Sequence, residues 1–385
     1  MFDALIRFIR DSYGTNDFIP LHAPVFRGNE KAYLVETIDS TFVSSVGAFV
    51  DRFEGEVAAY TGAERAVATV NGTAALHVAL LLAGVRPGDL VVTQSLTFVA
   101  TCNAIAYCSA EPAFVDVDRR TLGLSPQALA DWLESSAALD AEGVCRHKAD
   151  GRAIRACVPM HTFGHPVDLD ALVKVCRQWN LALVEDAAES LGSFYRGRHT
   201  GTFGAVGTLS FNGNKIMTTG GGGMVLASGE TGRRAKHLTT TAKRQHAYEF
   251  IHDEVGFNYR MPNLNAALGC AQLEWLERFI EAKRALAARY ATHLAGSDLE
   301  FVSEPADCRS NYWLNAVICR DREHRDALLA KTNDAGVMTR PAWQPMHRLP
   351  MYARCPRGPL DRTEWLEARL VNLPSSVTPA GQPTP

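Results

Sequence analysis

Eight of the 39 basic residues are lysines, and one of them, Lys215, stands between a β-like run at residues 206–211 and four consecutive glycines, Gly220 to Gly223. Most of the other lysines fall in stretches that read as solvated helix faces. A lysine on a turn beside a buried strand, where glycine lets backbone approach a ligand, suits Schiff-base chemistry. Such an amine must be desolvated, pinned and able to lose its proton. Asp186 closes an apolar run at residues 181–184 that reads as a central parallel strand. A carboxylate at the C-terminal end of such a strand points into the crevice where open α/β sheets bind ligands. It could pair with a protonated ring nitrogen and keep a pyridine-type cofactor electron-poor. The same place also suits a helix N-cap or an ion-pair partner.

Two earlier segments have the right character to complete such a site. Asn71-Gly72-Thr73 follows a strand-like run at residues 66–70 and opens an apolar helix. Glycine there allows close approach, and a helix N-terminus offers unpaired N–H groups to an anion such as phosphate. Ser210 and Thr73 could add hydroxyl donors, though an ordinary Thr-capped helix would look the same. Phe98 follows a short strand at residues 90–93, where an aromatic ring could stack on a flat cofactor or simply join the core.

The order is a glycine-threonine helix start, an aromatic, a strand-end aspartate, a serine, a lysine and a glycine run. It resembles the DegT/DnrJ/EryC1/StrS family of nucleotide-sugar aminotransferases, which are fold-type I pyridoxal phosphate enzymes. The likeness extends from Ile19-Pro20-Leu21 and Phe53-Glu54 through Glu185 to Ser190 and Gly256 to Met261. It ends at Asn372-Leu373-Pro374-Ser375-Ser376. The resemblance implies that Lys215 links to pyridoxal 5'-phosphate and shuttles protons, and that Asp186 pairs with the ring nitrogen. It implies that Gly72, Thr73 and Ser210 hold the phosphate, that Phe98 stacks on the ring and that Glu189 lies near the ring hydroxyl. It also implies that Asn258 reaches the phosphate of a partner subunit's cofactor, making the unit a homodimer. Glu189 departs from the glutamine or histidine common there, and Val46 stands where glycine is common.

By the same resemblance the donor is glutamate and the acceptor a keto sugar linked to a nucleotide. Residues 28–30, 39–45 and 218–223 look most like the branch that serves legionaminic acid and bacillosamine pathways. That branch implies a UDP-linked 4-keto-6-deoxy-N-acetylhexosamine. His161, Arg340 and His347 are candidate substrate contacts; His161 also fits a hydrogen-bonded strand end. The alternatives are a 3-keto sugar nucleotide, a keto-inositol, a sugar dehydratase on the same scaffold and a non-enzymatic regulatory protein. Lys215 speaks against the dehydratase, because related dehydratases carry histidine in its place.

Composition sets further bounds. With 385 residues, 46% of them hydrophobic, the chain can fill a large domain and a smaller one. A net charge of −3 shows no bias towards nucleic acid or a membrane surface. Nine cysteines with no Cys-x-x-Cys pair read as reduced thiols of a cytoplasmic protein. No metal site is expected, since Gly164 and Pro166 break any helical pairing of His161 with His165. The N-terminus lacks a signal-peptide pattern and reads as a short packed helix. Alternating β runs and helices predict an α/β fold with a mainly parallel seven-stranded sheet and a smaller C-terminal α/β domain. The expected division is 1–262 for the large domain with an N-terminal arm, and 263–385 for a linking helix and the small domain. Residues 264–294 read as one long helical region and 139–155 as a loop. The proline-rich tail, 378–385, is expected to fray.

Overall fold

A computed structural model describes residues 2–378, so most of the proline-rich tail lies outside the described residues. The main sheet has seven strands: β1 (Arg65–Thr69), β2 (Leu90–Gln94), β3 (Glu111–Val115), β4 (Ile154–Val158), β5 (Ala182–Asp186), β6 (Val206–Ser210) and β7 (Gly223–Ala227). Their order is β1-β7-β6-β5-β4-β2-β3. Only β7 runs antiparallel, to β1 on one side and β6 on the other. This is the expected α/β architecture with a mainly parallel sheet.

Strand alternation sorts the apolar residues onto two faces. Leu90 and Val92 join one core cluster, and Val91 between them joins another. Helices cover both faces because their starts are written locally. The side chains of Asn71, Ser125, Asp168 and Ser228 each accept a first-turn backbone N–H of the helix they cap. Ser125 is followed by Pro126 at the first helical position.

The region 264–294 is two helices, Asn263–Leu273 and Leu276–Leu294, rather than one. Tertiary anchors hold the break. Glu274 accepts hydrogen bonds from Asn29 (2.8 Å), Tyr33 (2.6 Å) and Arg52 (3.0 Å). The stretch expected to be a loop, 139–155, holds most of a small hairpin, Ala137–Leu139 with Cys145–His147.

The C-terminal unit is built on a four-stranded antiparallel sheet: β8 (Leu299–Phe301), β9 (Asn315–Cys319), β10 (Arg340–Pro341) and β11 (Leu370–Leu373). Its order is β8-β9-β11-β10. The N-terminal helix Asp3–Tyr13 buries Leu5, Ile6 and Ile9 in the same cluster as Val317, Leu328 and Val371. The expected division assigned this arm to the large domain; its packing belongs with the small one. The reason is its apolar stripe, which needs a partner surface, and Ile19 bridges to Val337 beside it.

Lys283 also departs from the expectation of solvated lysines. It is fully buried on helix Leu276–Leu294 and donates to the Ser375 carbonyl. Burial lowers its amine to about 7. Among the described residues no helix is long and apolar enough to cross a membrane.

Candidate active site

The C-terminal ends of β5 and β6 and the start of helix Gly72–Leu82 converge on one corner. Asp186, the last residue of β5, is almost fully buried. Its Oδ2 accepts from the Thr101 hydroxyl (2.7 Å) and its Oδ1 from the Ala188 N–H (3.2 Å). Burial pushes its carboxyl up, and these bonds together with the charge of Lys215 pull it back.

Glu189 sits on the next turn, also almost fully buried. Its Oε2 accepts from the Phe163 N–H at 2.8 Å, and its Oε1 lies 3.5 Å from the Lys215 amine. Burial raises this carboxyl to about 7, against the pull of Lys215 and the Phe163 N–H. Phe163 aims its N–H there from a left-handed backbone, with φ of 56°. A buried aromatic in that conformation is strained. The Lys215 amine also lies 4.0 Å from the centre of the Trp313 ring, and the Trp313 indole N–H donates to the Asn214 carbonyl at 2.7 Å.

A cradle lies beside this cluster. A Cβ on Gly72 would lie 2.9 Å from Cβ of Ser210 and 3.1 Å from its hydroxyl. The helix start can therefore approach the end of β6 only because residue 72 is glycine. One residue of the tetraglycine run serves the same place. A Cβ on Gly223 would strike the Asn71 carbonyl at 2.4 Å and the Gly72 nitrogen at 2.7 Å. The free N–H groups of the helix start and the Ser210 hydroxyl form a donor set for a phosphate. Phe98, just before helix Val99–Tyr107, keeps half of its surface exposed. These residues fit pyridoxal phosphate: a phosphate cradle, an exposed aromatic face, a buried carboxylate and a lysine.

The candidate substrate residues are placed less uniformly. His161 is fully buried at the strand ends, where its backbone N–H donates to the Asp186 carbonyl (3.1 Å). Its Nε2 lies 3.2 Å from Glu185 and its Nδ1 accepts from the Val167 N–H. Both nitrogens are occupied, so His161 is the hydrogen-bonded strand-end residue rather than a substrate contact. Arg340 is exposed and turned onto Asn333 and the Thr339 carbonyl. His347 stands between the Ser95 hydroxyl (2.7 Å) and Glu364 (2.8 Å), next to the loop that carries Phe98. Asn258 lies at the surface with its Oδ1 held by Arg260, and the next residue, Tyr259, accepts the Val70 N–H at its carbonyl (2.8 Å).

Sequence reading missed Thr101, Glu185 and Trp313. Thr101 had a signal: it lies one helical turn after Phe98 in the same segment. Trp313 had none, because it arrives from the other unit.

The family model for the DegT/DnrJ/EryC1/StrS aminotransferases matches residues 25–381. This chain belongs to that family. It is a pyridoxal phosphate-dependent sugar-nucleotide aminotransferase. The GDP-perosamine synthase of Escherichia coli O157:H7 is 37% identical over 360 residues, 93% of each chain. The solved aminotransferase TlmJ from Streptoalloteichus hindustanus superposes with a TM-score of 0.84 at 31% identity, covering 93% of both chains. DesI, solved in the presence of its TDP-sugar product, gives 0.80 at 28% identity, covering 94% of this chain and 88% of its own.

Behind the corner, Glu185 fastens the loop after β5. It is fully buried and accepts from the N–H groups of Gly201 (2.7 Å), Phe203 (2.6 Å) and Gly204 (2.7 Å), besides facing His161. Burial pushes its carboxyl up, but His161 and these donors outweigh that and hold it below its usual value of 4.5. Its contribution to stability is therefore complete above the unfolded value and fades as pH falls through the lower folded one. Glu185→Gln is expected to lose about 3–5 kcal/mol in urea unfolding at pH 7. The difference from wild type should shrink as the pH drops below about 4.5. A variant as stable as wild type at pH 7 would contradict this role.

Proposed function

We propose that the protein transfers an amino group from glutamate to C4 of a 4-keto-6-deoxy sugar carried on a nucleoside diphosphate. The 37% identity to a GDP-perosamine synthase over 93% of both chains carries this reading. Perosamine is a 4-amino-4,6-dideoxyhexose, so the reaction at the sugar carbon is the same for the UDP-linked N-acetyl sugar suggested by residues 28–30, 39–45 and 218–223. The GDP-linked sugar is favoured because the likeness spans nearly the whole chain.

Bound in the cradle, pyridoxal phosphate supplies a ring that takes up the electron pair left when a proton leaves the amine-bearing carbon. Gly72, Thr73 and Ser210 would hold its phosphate, Phe98 would lie against its ring and Asp186 would keep a proton on its ring nitrogen. Lys215 would carry the cofactor and serve as acid and base for the proton at the reacting carbon. The nucleotide binds away from that carbon and its binding energy orients the ketone, so a free sugar is a poor substrate.

A second copy of the chain completes the site. Tyr248, Phe250 and Val255 are each at least 80% exposed on the segment that precedes Asn258. Apolar residues so exposed fit a covered face, and Asn258 would then serve the partner's cofactor across a symmetric dimer.

The substrate is tested by loading the protein with the amino group of glutamate, removing the donor and adding ketones singly. The cofactor's original absorbance should return fastest with the GDP-linked 4-keto-6-deoxy sugar. Faster return with the UDP-linked N-acetyl sugar would change the nucleotide. Faster return with a 3-keto sugar nucleotide, a keto-inositol or a 2-oxo acid would overturn amination at C4.

The dimer is tested by mixing Lys215→Ala subunits with Asn258→Ala subunits. Both homodimers should be impaired and the mixture should regain activity through one intact site. A mixture without recovery, or an active monomer in sedimentation, would contradict the shared site.

A further inference from the structure

The Lys215 amine does not stand free in its pocket. It is seated between two groups, Glu189 Oε1 at 3.5 Å and the Trp313 ring centre at 4.0 Å. The first comes from the turn after β5 of the large sheet, the second from the lead into β9 of the small one. Each is held by an independent contact. The Phe163 N–H fixes Glu189, and the indole N–H of Trp313 is fixed on the Asn214 carbonyl, one residue before the lysine. The Trp313 N–H in turn donates from the backbone to Asn311, itself fully buried.

We infer that Glu189 and Trp313 form a dock for the charged amine of Lys215 while it is free of the cofactor, and that Glu189 takes the amine's proton when Lys215 leaves the dock. Trp313 is a positioning residue. Its ring face attracts a cation, and the attraction grows when water is excluded. Glu189 supplies the opposite charge. The proton balance is internal: Lys–NH3⁺ and Glu–COO⁻ become Lys–NH2 and Glu–COOH, with no co-reactant.

The surroundings suit this exchange. Burial raises the Glu189 carboxyl to about 7, and the nearby charge of Asp186 adds to the rise. A carboxyl so placed can carry a proton near neutral pH once the amine has gone. Asp186 and His22 also feel the charge of Lys215, and His22 feels that of Lys283 as well. Burial drives His22 well below its usual value, with the charges of Lys283 and Lys215 acting in the same direction. His22 is thus a neutral neighbour, and Glu189, at 3.5 Å, is the carboxylate in contact with the amine.

The inference rests on Lys215 being the cofactor lysine, and its test uses the protein stripped of cofactor. Trinitrobenzenesulfonate labels neutral amines, and labelling at Lys215 is followed by peptide mass across a pH series. At pH 7 the Glu189→Gln protein should label on the order of tenfold faster than wild type, with an unchanged plateau at high pH. Trp313→Leu should move the curve in the same direction, and Trp313→Phe, which keeps a ring face, should stay nearer wild type. A merely loosened pocket would instead raise the plateau and leave the midpoint in place. Coincident curves for wild type and Glu189→Gln, or a raised plateau alone, would overturn the dock. Reductive trapping of cofactor on another lysine would remove the Lys215 assignment without altering these curves, so the two failures are distinguishable.

Discussion

Two buried carboxylates and one lysine share the corner at the end of the central strands, and the rest of the site is arranged around their charge balance. Asp186 and Glu189 are both 3% exposed, and burial penalises both charges. Each is held by hydrogen bonds that favour its ionised form, from Thr101 and Ala188 for the first and from Phe163 for the second. Lys215 offsets the remaining charge. Removing Lys215 would leave two buried carboxylates without a cation, a situation costlier than an apolar replacement of the whole set.

The fold supplies that corner through close packing of backbone. Helix Gly72–Leu82 begins against Ser210 because residue 72 lacks a side chain, and β7 passes Asn71 because residue 223 lacks one. The antiparallel course of β7 between β1 and β6 ties the phosphate cradle to the strand that leads to Lys215. Glu185, one residue before Asp186, faces the other way and fastens the loop at residues 201–204. Adjacent residues of one strand thus serve opposite sides of the sheet, as strand alternation requires.

Much of this was legible from residues. Apolar runs ending near Asp186 and Ser210 marked the central strands, and glycine before an apolar run marked the helix start, although its cap is Asn71 rather than a threonine. Lys215 stood out by its glycine neighbours. What escaped was set by tertiary contact. Trp313 reaches Lys215 from a distant part of the chain, and no local period announces it. His161 looked available for substrate because histidine at a strand end often is; Glu185 and the Val167 N–H occupy both its nitrogens instead. The break at Glu274 and Trp275 was hidden because both residues tolerate a helix, and only the bonds from Asn29, Tyr33 and Arg52 show why the chain turns there. Lys283 looked like a solvated helix residue because the small domain that buries it is assembled from both ends of the chain.

Every role proposed at this site depends on Lys215 being the lysine that carries pyridoxal phosphate. Borohydride reduction of the cofactor-loaded protein, followed by peptide mass analysis, tests this directly. The reduced cofactor's mass should be found on the peptide containing Lys215 and be absent from Lys215→Ala protein. Its appearance on another lysine, the buried Lys283 included, or on none, would contradict the account.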